Sequence, residues 1–288
     1  MPPKFTQGDF PPNPLEKPGY VLEFNDEFDG PELSLDKWIP FYLPQWSSRK
    51  KSRPNYELRD GNLVLQITGE QQPWCPEYDG ENRASVIQSG QFSGPLGSKT
   101  GQLRFSEKLV VREEQPNVKK YTPQYGYIEV RNKGLDSGGN HVSLWMCGYE
   151  DEPEKSAEIC LFEIVGSRTT PTSSRINYGV HRWTDPAITE EFYEEVFELD
   201  ARAYHIFAVE WTPTHLDFFI DNQKIRTIRQ SPAYEMQIYL GMFEDPSQQG
   251  WNGPFDPSRP YPKEFVVDYV RVYRPEQGYP NPSNLPPQ

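Results

Sequence analysis

The chain has 288 residues, enough for one large β domain or two smaller ones, and 14% of them are aromatic, so any core must contain much Phe, Tyr and Trp. The net charge of −13 argues against a nucleic-acid partner, because phosphates attract basic surfaces. No apolar run approaches the roughly 20 residues that a membrane helix needs, and no membrane partner is expected. Three cysteines are too few for a disulfide framework, so at least one thiol is expected to be free.

Both ends of the chain are dense in proline, at residues 1–19 and 275–288. Proline at this density sustains neither a helix nor a central strand, so these segments are expected to be arms that wrap around a folded domain. No linker or break in composition divides the residues between them, and the sequence therefore predicts a single domain over residues 1–288. The first residues carry no apolar segment typical of a secretory signal.

The interior is predicted to be a series of short strands, because apolar and polar residues alternate between turn signals. The predicted strands comprise residues 63–68, 125–131 and 205–211, a hairpin over 216–225 with an Asp-Asn-Gln tip, and residues 265–273. Residues 190–199 are the one segment for which a helix is considered, with a loop as the alternative. Many short strands without convincing helices predict an all-β protein, either an antiparallel sandwich or a barrel.

Two glutamates lie close together in the second half of a further predicted hairpin, formed by residues 141–147 and 157–165. Glu158 and Cys160 share one face, because successive side chains of a strand alternate. Glu163 joins that face only if a β-bulge between Cys160 and Glu163 adds one residue. Two such carboxyl groups suit acid–base chemistry, because repulsion leaves one ionised and one protonated. The pair alone also fits an ordinary acidic strand.

Five segments, taken in chain order, resemble glycoside hydrolase family 16. They are residues 24–33 (FNDEFDGPEL) followed by Trp38, residues 60–65 (DGNLVL), residues 125–131 (YGYIEVR), residues 210–213 (EWTP) and residues 268–273 (DYVRVY). The family pattern at its centre is Glu-Ile-Asp-x-x-Glu, and this chain has Glu-Ile-Cys-Leu-Phe-Glu at 158–163. In the family, the spacing with two residues before the last Glu accompanies laminarinases, agarases and carrageenases, so the resemblance is to the laminarinase-like branch.

The resemblance implies a β-jelly-roll sandwich of two curved antiparallel sheets with a concave glycan-binding cleft. It implies an endo-acting retaining hydrolase of a polysaccharide, with Glu158 as the nucleophile and Glu163 as the acid/base. The expected substrate is β-1,3-glucan. The alternatives are another β-glycan, such as agarose, carrageenan or mixed-linkage glucan, and a lectin-like binder with weak or no turnover. A monomer without a catalytic cofactor is expected, and family habit implies secretion, although no signal is visible.

Cys160 stands where the family has an Asp that orients the nucleophile. A buried thiol is a weak donor and stays neutral, so the change fits either a divergent active enzyme or a weakened one that binds glycan. By the same resemblance, Trp145 faces the cleaved sugar, and Trp183 stacks on a sugar in an adjacent subsite. For both tryptophans, packing within the sheet is the alternative.

Two histidines and a cation site complete the set of residues that the resemblance implies. His181 would orient the acid/base or the sugar, with ordinary sheet packing as the alternative. His141 replaces a family Trp and either binds sugar hydroxyls or faces solvent. A structural calcium ion is implied near Glu23, Gly61 and Asp268, held partly by backbone oxygen.

Overall fold

The computed structural model describes residues 4–247 and 250–279, which form a nearly all-β fold. The strands are β1 (Tyr20–Asp26), β2 (Asn55–Arg59), β3 (Asn62–Ile67), β4 (Arg83–Gln88), β5 (Gly90–Gln91), β6 (Val118–Lys119), β7 (Gly126–Lys133), β8 (Asn140–Gly148), β9 (Glu158–Thr169), β10 (Ser174–His181), β11 (Glu191–Phe197), β12 (His205–Trp211), β13 (Leu216–Ile220), β14 (Gln223–Ile228), β15 (Met236–Glu244) and β16 (Lys263–Pro275). A short 3-10 helix covers Pro44–Trp46, and the helix α1 covers Pro76–Asp79.

Two antiparallel sheets dominate the described residues. The first has eight strands in the order β14-β13-β12-β7-β16-β3-β2, with β1 paired to β16. The second has six strands in the order β11-β10-β9-β8-β15-β4, and β5 and β6 form a small separate sheet. Each predicted strand is present, as are both predicted hairpins, so the all-β prediction is confirmed.

The main core lies between the two sheets and takes every second residue of their strands. On β8, Leu144 and Met146 point into this core, whereas Trp145 and Cys147 belong to a second apolar cluster on the other face of the sheet. This alternation is the ordinary consequence of the strand repeat. The six-stranded sheet is therefore buried on both faces, and its outer face carries the candidate site.

The prediction of a helix or a loop over residues 190–199 is wrong, because the segment contains the edge strand β11 (Glu191–Phe197). Its residues pair with β10 from Ser174 to Val180. Phe192 and Val196 lie at positions of the same parity, which a strand with a two-residue repeat places on one face. The local pattern of apolar residues does not distinguish a strand from a helix or a loop, and the strand forms because the segment pairs with β10.

The N-terminal segment lies across the eight-stranded sheet. The backbone N–H of Phe10 donates to the carbonyl of Tyr204 at 2.7 Å, and the Arg131 side chain donates to the carbonyl of Phe10. The ammonium of Lys17 lies 3.6 Å from the centre of the Tyr127 ring. Of the predicted C-terminal arm, residues 280–288 lie outside the described residues, and the single domain over 1–288 remains a prediction.

Candidate active site

A β-bulge lies in β9 between the two glutamates. Across the hairpin, Trp145 opposes Cys160 and Leu144 opposes Phe162, so Leu161 is the additional residue. The bulge on which the sequence analysis depended is therefore present, and it lies between Cys160 and Glu163.

The neighbouring strand β10 shows the same irregularity from the other side. Gly179 opposes Cys160, and Asn177 opposes Glu163, so that two residues of β9 face one residue of β10. Gly179 has a φ of 139°, and a Cβ atom there would lie 2.3 Å from the carbonyl oxygen of Glu191. Only glycine fits this position without moving strand β11.

The bulge brings Glu163 to the outer face of the sheet together with Glu158 and Cys160. Both glutamates line one cavity of about 250 Å³. The β8 residues opposite them, Cys147 and Ser143, are four residues apart, about 13 Å along a strand. The two long side chains therefore reach into the same space across the small side chain of Cys160.

Glu163 has the electrostatic character of an acid at neutral pH. Burial, reinforced by the charge of Glu158, raises the pKa of Glu163 to about 7. The side-chain amide of Asn177 donates to Glu163 Oε2 at 3.3 Å, and this hydrogen bond together with His181 acts in the opposite direction. Because an ionised Glu158 disfavours a second charge, the pair favours Glu158 ionised and Glu163 protonated.

Glu158 is only 7% exposed, and burial raises its pKa. His181 and a hydrogen bond from Trp183 lower the pKa, and the charge of Glu190 raises it. The indole Nε1–H of Trp183 donates to Glu158 Oε2 at 2.9 Å. The ionised form of Glu158 therefore has a specific donor.

Cys160 lies between the two glutamates as a buried, neutral thiol. Burial and the charges of Glu163 and Glu158 raise the pKa of the thiol well above its ordinary value. Cys75 and Cys147 are also buried and free, so the expected free thiols are present. Because the thiolate form is strongly disfavoured, Cys160 is not a nucleophile at neutral pH.

Trp145 lies opposite Cys160 across the strand pair and lines the cavity. The indole is stacked on the Tyr239 ring with centroids 5.0 Å apart and planes 9° apart. Since it is 5% exposed, little of its surface is open to a sugar. The tryptophan is thus both a packed residue and a cavity wall.

His141 lines the cavity and is buried, so the interpretation that it faces solvent is wrong. Its ring stacks on Phe243 at 4.7 Å, and Trp251 packs against it at 4.6 Å. Burial lowers the pKa of His141 to about 3, which keeps the ring neutral. Its Nδ1 atom is buried and has no hydrogen-bond partner among the described residues.

His181 and Trp183 follow one another at the end of β10, beside Glu158. His181 opposes Glu158 across the strand pair, shares a hydrogen bond with Glu190 and stacks on the Phe192 ring at 4.1 Å. Trp183 lines the cavity and is 42% exposed. His181 therefore lies beside the carboxylate pair, and Trp183 contacts Glu158 directly.

The sequence analysis missed several cavity residues. Most come from loops without periodicity or from the short helix α1, Ser143 is small, and Phe243 lies on β15, which was not among the predicted strands. They are Asp79, Asn82, Leu103, Phe105, Ser143, Phe243 and Trp251. Asp79 accepts hydrogen bonds from Trp74 at 2.6 Å and from Asn82 at 3.0 Å.

Glu23, Gly61 and Asp268 do not fit one calcium site. The carboxylate of Glu23 is paired with Arg274, and that of Asp268 with Arg131 at 2.5 Å. The pairing of β1 with β16 separates Glu23 from Asp268 by at least four residues, roughly 13 Å along the strand. Within residues 4–247 and 250–279, no three His, Cys, Asp or Glu side chains form a cluster suited to a metal.

Comparison with curated proteins finds relatives that are named β-glucanases. A β-glucanase from Acetivibrio thermocellus is 26% identical over 164 residues, which are 56% of this chain and 46% of the relative. A β-glucanase from Bacillus amyloliquefaciens is 27% identical over 137 residues, 47% of this chain and 54% of the relative. The chain thus spans about half the length of the curated relatives that it matches.

Solved structures share the fold. An endo-β-galactosidase from Clostridium perfringens that releases GlcNAcα1-4Gal superposes with a TM-score of 0.82 and 35% identity, over 94% of this chain and 66% of that one. A laminarinase catalytic domain from Thermotoga petrophila has a TM-score of 0.62 and 17% identity, over 89% of this chain and 98% of that one. The predicted jelly-roll sandwich is thereby confirmed.

The sequence profile of one family covers more than half of the chain. The profile described as glycosyl hydrolases family 16 matches residues 111–261, a segment that includes the bulged strand, both glutamates and most of the cavity wall. None of the helices in the described part of the chain has the length and apolarity to cross a membrane. Profile, fold and the position of the carboxylate pair agree, and the chain belongs to glycosyl hydrolase family 16.

Proposed function

We propose that this protein is an endo-acting, retaining β-glycan hydrolase in which Glu158 is the nucleophile and Glu163 is the acid/base. The observation that supports this most strongly is the position of both carboxyl groups in one cavity, with the pKa of Glu163 raised to about 7. A general acid works best when its pKa lies near the operating pH. Glu158, which accepts a hydrogen bond in its ionised form, suits nucleophilic attack.

The proposed reaction has two steps. In the first, Glu158 attacks the anomeric carbon while Glu163 transfers its proton to the departing glycosidic oxygen, which leaves a glycosyl ester on Glu158. In the second, the ionised Glu163 removes a proton from water, and the resulting oxygen nucleophile displaces Glu158 from the sugar. The proton returns to Glu163, Glu158 is again ionised, and the configuration at the anomeric carbon is retained.

We propose a β-galactosidic linkage within a glycan chain as the substrate. Support comes from the similarity to the endo-β-galactosidase, since 35% identity extends over 94% of this chain. The sequence analysis favoured β-1,3-glucan, for which the laminarinase structures give no more than a shared fold at 17–19% identity. The β-glucanases at 25–27% identity keep β-glucan as the second candidate.

A substrate panel tests the proposal. Glycans that carry GlcNAcα1-4Gal in β-linkage, agarose, carrageenan, laminarin and lichenan are incubated with the protein, and new reducing ends are measured. Proton NMR during the first minutes should show the β-anomer of the product before mutarotation, as retention requires. Release of the α-anomer first would contradict the double displacement. The products should be internal fragments from a monomer, which light scattering can verify.

Matched glutamine substitutions separate an enzyme from a lectin-like binder. Glu158→Gln should remove nearly all turnover and leave glycan binding intact, because the amide cannot form the glycosyl ester. Glu154→Gln, at an exposed position of the loop before β9, is the control and should keep wild-type rates. If the wild type and Glu158→Gln both bind and neither hydrolyses any member of the panel, the protein is a binder and the enzyme proposal fails.

A further inference from the structure

Trp183 has a backbone conformation that a tryptophan seldom adopts. Its φ is 46°, in the left-handed region, where a side chain at Cβ is disfavoured. Its ring is 42% exposed, yet its Nε1–H points at Glu158 Oε2 over 2.9 Å. A strained conformation persists only where the surroundings enforce it, and such strain is concentrated at functional sites.

A hydrogen-bond network fixes the turn that carries Trp183. The backbone N–H of the next residue, Thr184, donates to Ser156 Oγ at 3.0 Å, and the hydroxyl groups of Thr184 and Ser156 are hydrogen-bonded at 2.8 Å. The Thr184 hydroxyl in turn lies 2.8 Å from the carbonyl of Pro153 and donates to it. These contacts tie the turn to the segment that leads directly into Glu158.

A second connection runs through Tyr234. Its hydroxyl donates to Asp185 Oδ2 at 2.6 Å and accepts from the backbone N–H of Ala157 at 2.8 Å. Asp185 lies two residues after Trp183, and Ala157 lies immediately before Glu158. The network therefore fixes the donor and the acceptor of the Trp183–Glu158 hydrogen bond relative to each other.

The other neighbours of Glu158 do not provide a comparable donor. Cys160, on the same face of β9, is a neutral thiol and a weak donor. The Nδ1 atom of His181 is engaged by Glu190. Within the described part of the chain, Trp183 is the side chain that donates a hydrogen bond to Glu158.

From this geometry we infer that Trp183 is the positioning residue of the nucleophile: its indole N–H orients Glu158 and stabilises the ionised carboxylate, which the thiol at position 160 does not do. The inference rests on the proposed function and differs from the stacking role that the sequence analysis gave to Trp183. It assigns to the exposed ring a polar function, exerted through one N–H group. The substrate itself need not touch the ring for this effect.

Trp183→Phe is the main test, because it keeps an aromatic ring and removes the N–H. Loss of a hydrogen bond to a charged group is expected to lower kcat/KM by about 10- to 100-fold. It should also raise the pKa of Glu158, since that hydrogen bond lowers it. The acidic limb of the kcat/KM profile then moves to higher pH. Unchanged kcat/KM with an unchanged limb would overturn the inference.

Trp251→Phe is the matched control. Trp251 lines the same cavity and is similarly exposed, but it packs against His141 and donates no hydrogen bond to either glutamate among the described contacts. We expect this variant to change KM and to leave the acidic limb in place. A shift of the limb as large as that of Trp183→Phe would show that the smaller ring, not the lost hydrogen bond to Glu158, is responsible, and would overturn the inference.

Cys160→Asp tests whether Glu158 depends on the hydrogen bond from Trp183 because the thiol at position 160 is a weak donor. A carboxyl group at position 160 lies on the face of Glu158 and, in its protonated form, provides an O–H donor. In the Trp183→Phe background it should recover at least part of the lost kcat/KM. Strict additivity of the two substitutions would contradict the exchange of roles between these positions.

A titration that needs no substrate distinguishes failure of this inference from failure of the proposed function. The carboxyl carbon of Glu158 is followed by carbon-13 NMR, with its signal assigned by Glu158→Gln. Its pKa should rise in Trp183→Phe, and an unchanged value overturns the inference whether or not hydrolysis is found. If Trp183→Phe does not fold, a benzothienylalanine at position 183, which keeps the bicyclic ring without the N–H, replaces it.

Discussion

Replacing Glu163 by glutamine is expected to stabilise the folded protein at pH 8. The pKa of Glu163 is raised from its ordinary 4.5 to about 7, chiefly by burial and then by the charge of Glu158. One pKa unit corresponds to about 1.36 kcal/mol, so holding Glu163 ionised costs the folded state about 3 kcal/mol. Contact of the carboxyl with solvent in the cavity reduces this to about 2–3 kcal/mol.

The sign of the effect gives it a distinctive dependence on pH. Because the folded pKa is above the unfolded one, the penalty is absent below pH 4.5, grows up to a pH of about 7 and is complete above that. Glutamine cannot ionise and escapes the penalty. Relative to wild type, Glu163→Gln should gain about 2–3 kcal/mol at pH 8 and about 1 kcal/mol or less at pH 5.

Urea-induced unfolding at the two pH values measures this difference, with a common slope for both proteins. Glu27→Gln is the control of opposite sign. Burial raises the pKa of Glu27, but hydrogen bonds from Arg271 and Asn25 together with the charges of Arg271 and Lys37 outweigh burial and lower the pKa, so the ionised form is favoured in the folded state. Glu27→Gln should therefore destabilise at pH 8. A Glu163→Gln protein that is less stable than wild type at pH 8, or equally more stable at both pH values, would refute the argument.

Three further expectations concern rate, affinity and fold. The kcat/KM of the wild type should fall above a pH of about 7, where Glu163 loses its proton. This basic limb should vanish in Glu163→Gln assayed on an activated aryl glycoside, because the leaving group of that substrate needs no proton. A basic limb that persists in the variant contradicts the assignment of Glu163 as the acid. His141→Phe keeps the packing on Phe243 and removes the ring nitrogens that would bind a sugar hydroxyl, so KM should rise by up to about tenfold with the pH profile unchanged. An unaltered KM argues against a contact between His141 and the sugar. Gly179→Ala should lower the unfolding free energy by at least about 1–3 kcal/mol in urea titrations, and wild-type stability would mean that the Glu191 carbonyl moves aside.

The strands were predictable because their signal is local. Alternation marks residues 205–211 and 125–131, and the Asp-Asn tip of the β13–β14 hairpin has both residues at positive φ, as a tight turn requires. The sequence also contains a pattern from which the bulge could have been predicted. Leu161 and Phe162 are adjacent and both join the core between the sheets, a break in alternation that an additional residue explains.

The cavity wall was not predictable in the same way. Trp251 reaches the cavity from a loop and Asp79 from the end of the four-residue helix α1, and neither segment has a periodicity that indicates the direction of a side chain. For His141 the strand pattern gave the face but not whether that face is covered. Its burial comes from Phe243 on the neighbouring strand β15 and from Trp251, contacts that depend on strand order.

The thiol at position 160 has a consequence for the whole acid–base pair. A third carboxyl group on this buried face would, in its ionised form, raise the pKa of both glutamates, because like charges disfavour one another. With a neutral thiol, Glu163 responds mainly to burial and to one charged neighbour, which suffices to bring its pKa to about 7. Glu158 then needs a donor that adds no charge, and the indole of Trp183 is such a donor. The loss of an acidic residue between the glutamates is therefore consistent with turnover, provided that the Trp183 N–H is kept.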